Sequence, residues 1–331
     1  MGIDLHRRRS VVVILDEDGV KQSSVRIENS PLALAEAVAE AGAGAEVVIE
    51  ATWGWYWAVD VLQEAGFVVH LAHPLGVKGY QNRRVKNDDR DATLLADLLR
   101  MGSLPEGWIA PPGLRELREW VRYRHKLSQL RTGLKSQIHA VLGKEGVIPA
   151  LTELWGPAGS CWLDDQQLGE AYEDRVESLR HLIERYDAEI RRLDRQVHIR
   201  LGDDVGYQTI QQLSGVGPVF AAVFVVEIGD VNRFRRPEQL CCWAGLTPRH
   251  RQSDTTMIRG SISKQGSPLV RWAAIEAVAR YQGGAPIRDS YRRIAQRKGT
   301  KIARVAAARK LLTLVFYGIR DHEIRCLKAA P

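Results

Sequence analysis

The chain has 331 residues, 45% hydrophobic and 26% charged, the composition of a globular protein long enough for two or three domains. Lys and Arg exceed Asp and Glu to give a net charge of +7, which points to a polyanion as partner. The longest apolar runs, such as Val219 to Val226, are too short to span a bilayer, and no basic-then-apolar leader precedes Gly2-Ile3-Asp4. The four cysteines (Cys161, Cys241, Cys242, Cys326) lack Cys-x-x-Cys spacing and are expected to be reduced thiols of a cytoplasmic protein, not zinc ligands.

In chain order, Gly2 to Leu5 and Ser10 to Leu15 read as strands, the second closing on the turn Asp16-Glu17-Asp18-Gly19. Val20 to Ile27 returns antiparallel, and Ser30-Pro31 starts a helix running to about Ala41. Glu46 to Ile49 is a short buried strand ending at Glu50, Trp55 to Ala65 a helix, and Phe67 to Leu71 a further strand. Pro74 opens a helical piece, and a helix capped by Asn87 carries Leu94, Leu95, Leu98 and Leu99 at helical spacing. Three strands followed by alternating helices and strands is the order of a ribonuclease-H-like sheet rather than of a doubly wound nucleotide fold.

Pro105, Pro111 and Pro112 mark a linker. Beyond it, Leu114, Leu117, Val121, Leu127, Leu130, Leu134, Ile138 and Val141 recur at mostly three- and four-residue steps, and a second helix from about Leu168 to Leu201 repeats the pattern. Two such helices suit an antiparallel arm, a dimerising coiled coil, or part of one bundle. The turn Leu213-Ser214-Gly215-Val216-Gly217-Pro218 has the form of a helix-hairpin-helix, in which Gly215 and Gly217 let backbone N–H groups approach a phosphate. The expected division is residues 1–112 as an α/β domain, 113–203 as a helical arm and 204–331 as a mainly α domain.

Asp88 and Asp91 sit three residues apart at a helix N-terminus and project from one face. They either favour the positive end of the helix dipole or hold a cation. Asp4 in the first strand and Glu50 at the end of the fourth bring the count to four carboxylates from three elements, which a ribonuclease-H-like sheet gathers at one edge. Such a quartet suits Mg²⁺, and two ions about 4 Å apart clamp the attacking and leaving oxygens in phosphoryl transfer. Asp89, by its spacing from Asp91, falls off that face.

Ser253 lies in a basic segment with Arg249, Arg251, Arg259 and Lys264, a positive cradle for a phosphate attacked by a hydroxyl, although no base is adjacent in sequence. Read from the residues alone, this is equally a basic loop with a hydrogen-bonding serine. Two further basic runs suggest a nucleic acid. One holds Arg115, Arg118, Arg122, Arg124, Lys126, Arg131 and Lys135 against only Glu116 and Glu119. The other runs from Arg288 through Arg292, Arg293, Arg297, Lys298, Lys301, Arg304 and Arg309 to Lys310 against only Asp289.

Gly2-Ile3-Asp4, Glu50-Ala51-Thr52 and Lys86-x-Asp88-x-x-Asp91-Ala92, followed by Ser214-Gly215-Val216-Gly217-Pro218, Phe234-x-x-Pro237-x-x-Leu240, Ala244-Gly245-Leu246-x-Pro248 and Gly260-x-Ile262-x-Lys264-x-Gly266, span nearly the whole chain in order. In these motifs it resembles the DEDD insertion-sequence transposases (insertion-sequence family 110), the bridge-RNA-guided serine recombinases. The resemblance implies a RuvC-like domain, a helical coiled-coil arm and a transposase domain with a catalytic serine. It implies Asp4, Glu50, Asp88 and Asp91 as Mg²⁺ ligands and Ser253 as the nucleophile that forms a phosphoserine link to DNA. It further implies a noncoding guide RNA and a dimer or tetramer, with the protein associated with the nucleoid of a bacterial cytoplasm and no membrane partner. Two features depart from the family pattern: an extra residue in Trp53-Gly54-Trp55-Tyr56-Trp57, and Asp254 where glycine commonly follows the serine. Asp254 would orient Ser253 or add negative charge near a metal. Two other functions remain open on the residues alone: a metal-dependent Holliday-junction-resolving nuclease using activated water, and a non-catalytic nucleic-acid-binding protein.

Overall fold

The computed structural model describes the chain except residues 43, 81–86, 152, 255, 283–284 and 325–331, so Lys86 and Cys326 lie outside the described residues. It divides into two compact units, Met1–Ala110 and Pro111–Pro331. Among the described residues no helix is long and apolar enough to cross a membrane.

The first unit is a six-stranded mixed sheet in the order β3-β2-β1-β4-β5-β6. β1 (Gly2–Leu5), β2 (Arg9–Leu15) and β3 (Lys21–Glu28) form an antiparallel meander. β4 (Glu46–Glu50) and β5 (Val68–Ala72) run parallel to β1, and the two-residue β6 (Glu106–Gly107) closes the edge antiparallel to β5. Sequence reading finds every one of these strands but β6, whose two residues are too few to show a period.

Alternation along the strands sorts the side chains onto two faces. Ile3, Leu5, Val12, Val47 and Ile49 bury one face against Leu34 and Val38 of α1 (Pro31–Ala39) and Ala58, Val59 and Leu62 of α2 (Trp55–Glu64). Ser30 caps α1 by accepting the Ala33 N–H at 3.1 Å, with Pro31 at the first helical position. The opposite face presents Val11, Val13, Val48 and Ala72 to α4 (Asp88–Arg100), through Ala92, Leu95 and Leu98; the short α3 (Pro74–Val77) adds Val77. Gly2 belongs to this face, where a Cβ would lie 2.0 Å from the Ala92 carbonyl oxygen. Glycine there is what lets α4 rest directly on β1.

In the second unit, α5 (Pro112–Lys144) and α7 (Glu170–Leu201) pack as an antiparallel pair. Cross-links at Arg124–Asp194, Arg131–Asp187 and Gln137–Arg175 fix the direction. Val176, Leu179, Ile183, Ile190, Leu193 and Val197 line the buried seam of α7. At one end the seam closes over α6 (Pro157–Asp164), with Ile138, Leu142, Leu154 and Leu163. At the other, Val121, Val197 and Leu201 join a core built on Phe220, Phe224, Leu240, Val270, Leu312 and Phe316. That core comes from α8 (Val205–Ile210), α9 (Pro218–Ile228), α10 (Pro237–Trp243), α11 (Pro268–Ala279) and α13 (Thr300–Asp321), with α12 (Ala285–Lys298) against α13.

The segment read as a basic loop is a hairpin of β7 (Pro248–Ser253) and β8 (Thr256–Ile262). β7 is exposed along nearly its whole length, so the alternation of buried and exposed positions that reveals a strand is missing from its sequence. Its foot is fixed by two backbone crossings. A Cβ on Gly245 would lie 2.3 Å from the Gln265 carbonyl oxygen, and one on Gly266 would lie 1.7 Å from that of Trp243. These glycines of the C-terminal motifs hold the fold.

Candidate active site

Asp4 follows Gly2 by two positions on β1 and therefore faces α4. It is 6% exposed, one of few buried acids. β1 and β4 pair Gly2 with Val48 and Ile3 with Ile49, so Glu50 is the next residue beside Asp4 on the same face. α4 brings its N-terminus to that face. Asn87 accepts the Asp89 N–H at 3.1 Å, as a cap should, and Asp88, Asp89 and Asp91 fill the first turn, where the helix dipole favours anions.

The structure joins Asp4 and Asp88 with a residue that sequence reading missed. His6 Nε2 lies 3.2 Å from Asp4 Oδ2 and 3.4 Å from Asp88 Oδ1, and one ligand atom from each of the three residues falls within 4.8 Å of the others. Glu50 and Asp91 share the face or the helix turn but are not members of this group. Asp89 points elsewhere, as its spacing predicts. It accepts Lys21 Nζ at 2.7 Å and the Ser24 hydroxyl, both from β3, and the Lys21 hydrogen bond, first among the causes, holds its carboxyl below the usual range. Two carboxylate oxygens from separate elements and an imidazole nitrogen form a donor set that fits a divalent cation.

A basic groove of about 1180 Å³ adjoins this group, lined by His6, Arg7, Arg8, Arg9, Arg26 and Asp88 among others. Arg7 also lies 5.9 Å from the ring centre of Trp53, which is 73% exposed. The run Arg7-Arg8-Arg9, so close behind Asp4, was the signal available for this groove. A three-residue basic run between two strands has equally the form of a solvated turn.

In the second unit Ser253 is the last residue of β7, exposed at the hairpin tip and paired with Thr256. Arg251 lies two residues before it on the same side of the strand, exposed. Asp254 occupies the turn with φ of 49°, the left-handed region that Asp tolerates and glycine favours. That backbone requirement accounts for either residue after the serine. Arg259 pairs with His250 through the backbone, and Arg249 Nη2 donates to the Ser263 carbonyl at 3.3 Å. Lys264, at φ of 56°, donates its N–H to the Gly245 carbonyl at the hairpin foot. The strand length between foot and tip, about 17 Å, separates it from Ser253 within the chain.

The residues of the first basic run find acids that their sequence neighbourhood lacks. Arg122 Nε and Nη2 donate to Glu227 of α9 at 2.6 and 3.1 Å, Arg124 holds both oxygens of Asp194 at 2.8 and 3.1 Å, and Arg131 pairs with Asp187. Lys135 lies 4.7 Å from the centre of the Trp155 ring, and Lys126 is exposed. The turn between α8 and α9 matches the expected helix-hairpin-helix position. Gly215 has φ of 81° and a Cβ there would lie 2.3 Å from the Ala277 carbonyl oxygen, so it is needed for packing. Gly217 has open space around it, and its backbone faces a groove of about 1090 Å³ lined by Gln129, Thr132, Gln212, Ser214 and Arg280 among others.

The α/β unit thus carries a carboxylate–imidazole group at the mouth of a basic groove, and the helical unit carries a basic hairpin. Residues 1–145 match a family model for transposases of the DEDD type of IS110, and residues 207–292 match one described as "Transposase IS116/IS110/IS902 family". A protein of Pseudomonas aeruginosa described as "Probable family 20 transposase" is 28% identical over 65% of this chain, covering 64% of its own length, less than two thirds. The transposase for insertion sequence element IS1111A of Coxiella burnetii is 23% identical over 98% of this chain and 91% of its own. The chain belongs to the IS110/IS116 family of transposases.

Proposed function

We propose that the protein is a DNA transposase that cuts and rejoins strands through a covalent link to Ser253. The observation that carries this reading is the convergence of Asp4, His6 and Asp88 beside the groove of Arg7, Arg8, Arg9 and Arg26. Acids that gather a divalent cation beside arginines that take a phosphate backbone suit the handling of a phosphodiester. The first unit is read as RuvC-like, supported by its strand order and by acids at the end of β4 and the start of α4. The α5–α7 pair is read as a coiled-coil arm of residues 113–203, and residues 204–331 as the transposase domain.

In the proposed reaction Ser253 Oγ loses its proton and attacks phosphorus. The Oγ–P bond forms as the bond from phosphorus to the leaving strand's sugar oxygen breaks, and that oxygen takes up a proton. A hydroxyl of another strand reverses the step, freeing the serine and joining the new ends. Asp4 and Asp88, with Glu50 and Asp91 on the same face and helix turn, would hold the divalent cation, taken as Mg²⁺ for the quartet. When bound, it neutralises charge on the phosphate oxygens. Arg251, two residues before Ser253 on the same side of β7, stabilises the charge that develops there, whereas Arg249 is bonded at the hairpin foot and the Arg259 side chain lies outside the described residues. A dimer or tetramer in which the carboxylates of one protomer work with the serine of another belongs to this reading. The backbone at Gly215 and Gly217, Lys126 and the basic α12 are read as nucleic-acid contacts, with a noncoding RNA as guide.

Trapping the covalent protein–DNA adduct and mapping the attached residue tests this reading. Ser253→Ala is expected to abolish the adduct and strand cleavage while leaving DNA binding intact. Cleavage that persists in Ser253→Ala would assign the chemistry to activated water instead.

A further inference from the structure

We propose that His6 is a direct metal ligand through Nε2, and that this nitrogen biases the site toward a first-row transition ion, Mn²⁺ above Mg²⁺. The proposal rests on the reading of Asp4 and Asp88 as cation ligands and adds a donor of a different kind. Nε2 stands 3.2 Å from one carboxylate oxygen and 3.4 Å from the other. Charge-assisted N–H···O bonds run about 2.7–2.9 Å, and one ring N–H cannot point at two carboxylates at once. A single Nε2–H therefore closes at most one of these two contacts, and the other carboxylate oxygen is held near the nitrogen without it.

The two separations match the ligand-to-ligand edges around one ion. Bonds of about 2.1–2.2 Å at right angles give an edge of about 3.0–3.1 Å, and bonds of about 2.0–2.1 Å at the tetrahedral angle give about 3.3–3.4 Å. The loop carrying His6 is held in place by Asn29, the residue that follows β3. The Asn29 side-chain amide donates to the His6 carbonyl at 2.6 Å, its Oδ1 accepts the Ser10 hydroxyl at 2.7 Å, and its backbone N–H donates to the Arg8 carbonyl at 2.9 Å. This three-point clamp fixes the backbone from which the imidazole reaches the two acids. Mg²⁺ keeps oxygen and water ligands, whereas imidazole suits the later first-row ions. A mixed donor set of two carboxylates and one imidazole thus favours Mn²⁺ relative to an all-carboxylate site.

The experiment uses the full chain with Mn²⁺ as probe, read by electron spin-echo envelope modulation, with calorimetric titration of Mn²⁺ and Mg²⁺ into wild type and His6→Ala. The expected result is ¹⁴N modulation from one imidazole in the wild type, absent in His6→Ala. Mn²⁺ affinity should fall at least about 10-fold in the variant, the loss that even an outer-shell partner produces, and Mg²⁺ affinity distinctly less. The wild-type spectrum needs no substitution, so a folding defect in the variant does not decide the matter. Bound Mn²⁺ without nitrogen coupling would overturn ligation by His6 and leave the carboxylate site standing. Equal loss of both ions in the variant would overturn the preference for Mn²⁺. Wild-type protein that takes up neither ion would overturn the metal site itself.

Discussion

The two basic runs look alike in sequence and differ in the fold. On α5 the arginines are spent inside the second unit: Arg118 donates to the carbonyls of Val226 and Glu227 at 3.0 Å each, where α9 ends, and Arg122, Arg124 and Arg131 pair with acids of α9 and α7. On α12 and the start of α13, Arg288, Arg292, Arg293, Arg297, Lys298, Lys301 and Arg304 are exposed and carry no ion pair among the described residues. The difference lies in chain separation. The acids that pair with α5 stand 56 to 105 residues away, beyond any count of charges along one helix. A run of uncompensated positive charge in sequence is therefore a candidate for internal pairing first, and for a polyanion only where the fold leaves it exposed.

The largest effect that would sharpen this contrast is expected at Glu227. It is 4% exposed, accepts both Arg122 bonds, and lies 3.5 Å from the Ser267 hydroxyl that donates to it. Removing one partner of a fully buried pair costs roughly 3–5 kcal/mol. The Arg122 side chain is 45% exposed and can rehydrate, so Glu227→Ala is expected to lower stability by about 2–3 kcal/mol. Denaturant unfolding measures it, and a loss below about 0.5 kcal/mol would mean that the α5 charges are not held internally as described.

A smaller effect separates the runs by function. If α12 meets phosphate, Arg292→Ala with Arg297→Ala should weaken binding to nonspecific duplex and reduce the slope of log affinity against log salt by about 2, each contact contributing about 0.9. The pair Arg124→Ala with Arg131→Ala should leave the slope nearly unchanged while lowering stability. Fluorescence anisotropy over a salt series reads both, and equal slope changes in the two variants would erase the contrast.

What was legible in the sequence follows the same division. β1, β2, β4 and α4 could be read because their buried residues recur at the period of the element, and the wet β3 because it follows the turn Asp16-Glu17-Asp18-Gly19. The exclusion of Asp89 from the carboxylate face was legible from helix geometry alone, and its side chain is bonded to Lys21 and Ser24 of β3, apart from Asp4, His6 and Asp88. His6 was not read, although it follows Asp4 by two positions, because β1 ends at Leu5 and alternation no longer places the next residue. The hairpin carrying Ser253 was not read because both faces are wet. The acids facing α5 were not read because α7 and α9 are placed by tertiary packing, which no local pattern encodes.

The smallest expected effect lies within the α5 run itself and concerns proton uptake. His125 packs against Trp272 with ring centres 4.3 Å apart and planes tilted by 56°, and Gln129 Nε2 lies 3.1 Å from its Nε2, where the amide donates to the neutral ring. Burial first, and the neighbouring Arg124 second, lower its pKa below the usual 6.5. Asp194, Arg195 and His198 line the same cavity of about 420 Å³. The unfolded chain then binds a proton at higher pH than the folded one. The contribution of His125 to stability is complete above about pH 6.5 and declines as pH falls through that value, until the folded ring also protonates. His125→Gln should flatten this part of the stability profile between neutral and acidic pH, and ring-proton NMR should place the His125 titration below that of a free imidazole. An unchanged profile in the variant would mean that the α5 surface is wetter and less positive at this point than its packing against Trp272 and Arg124 implies.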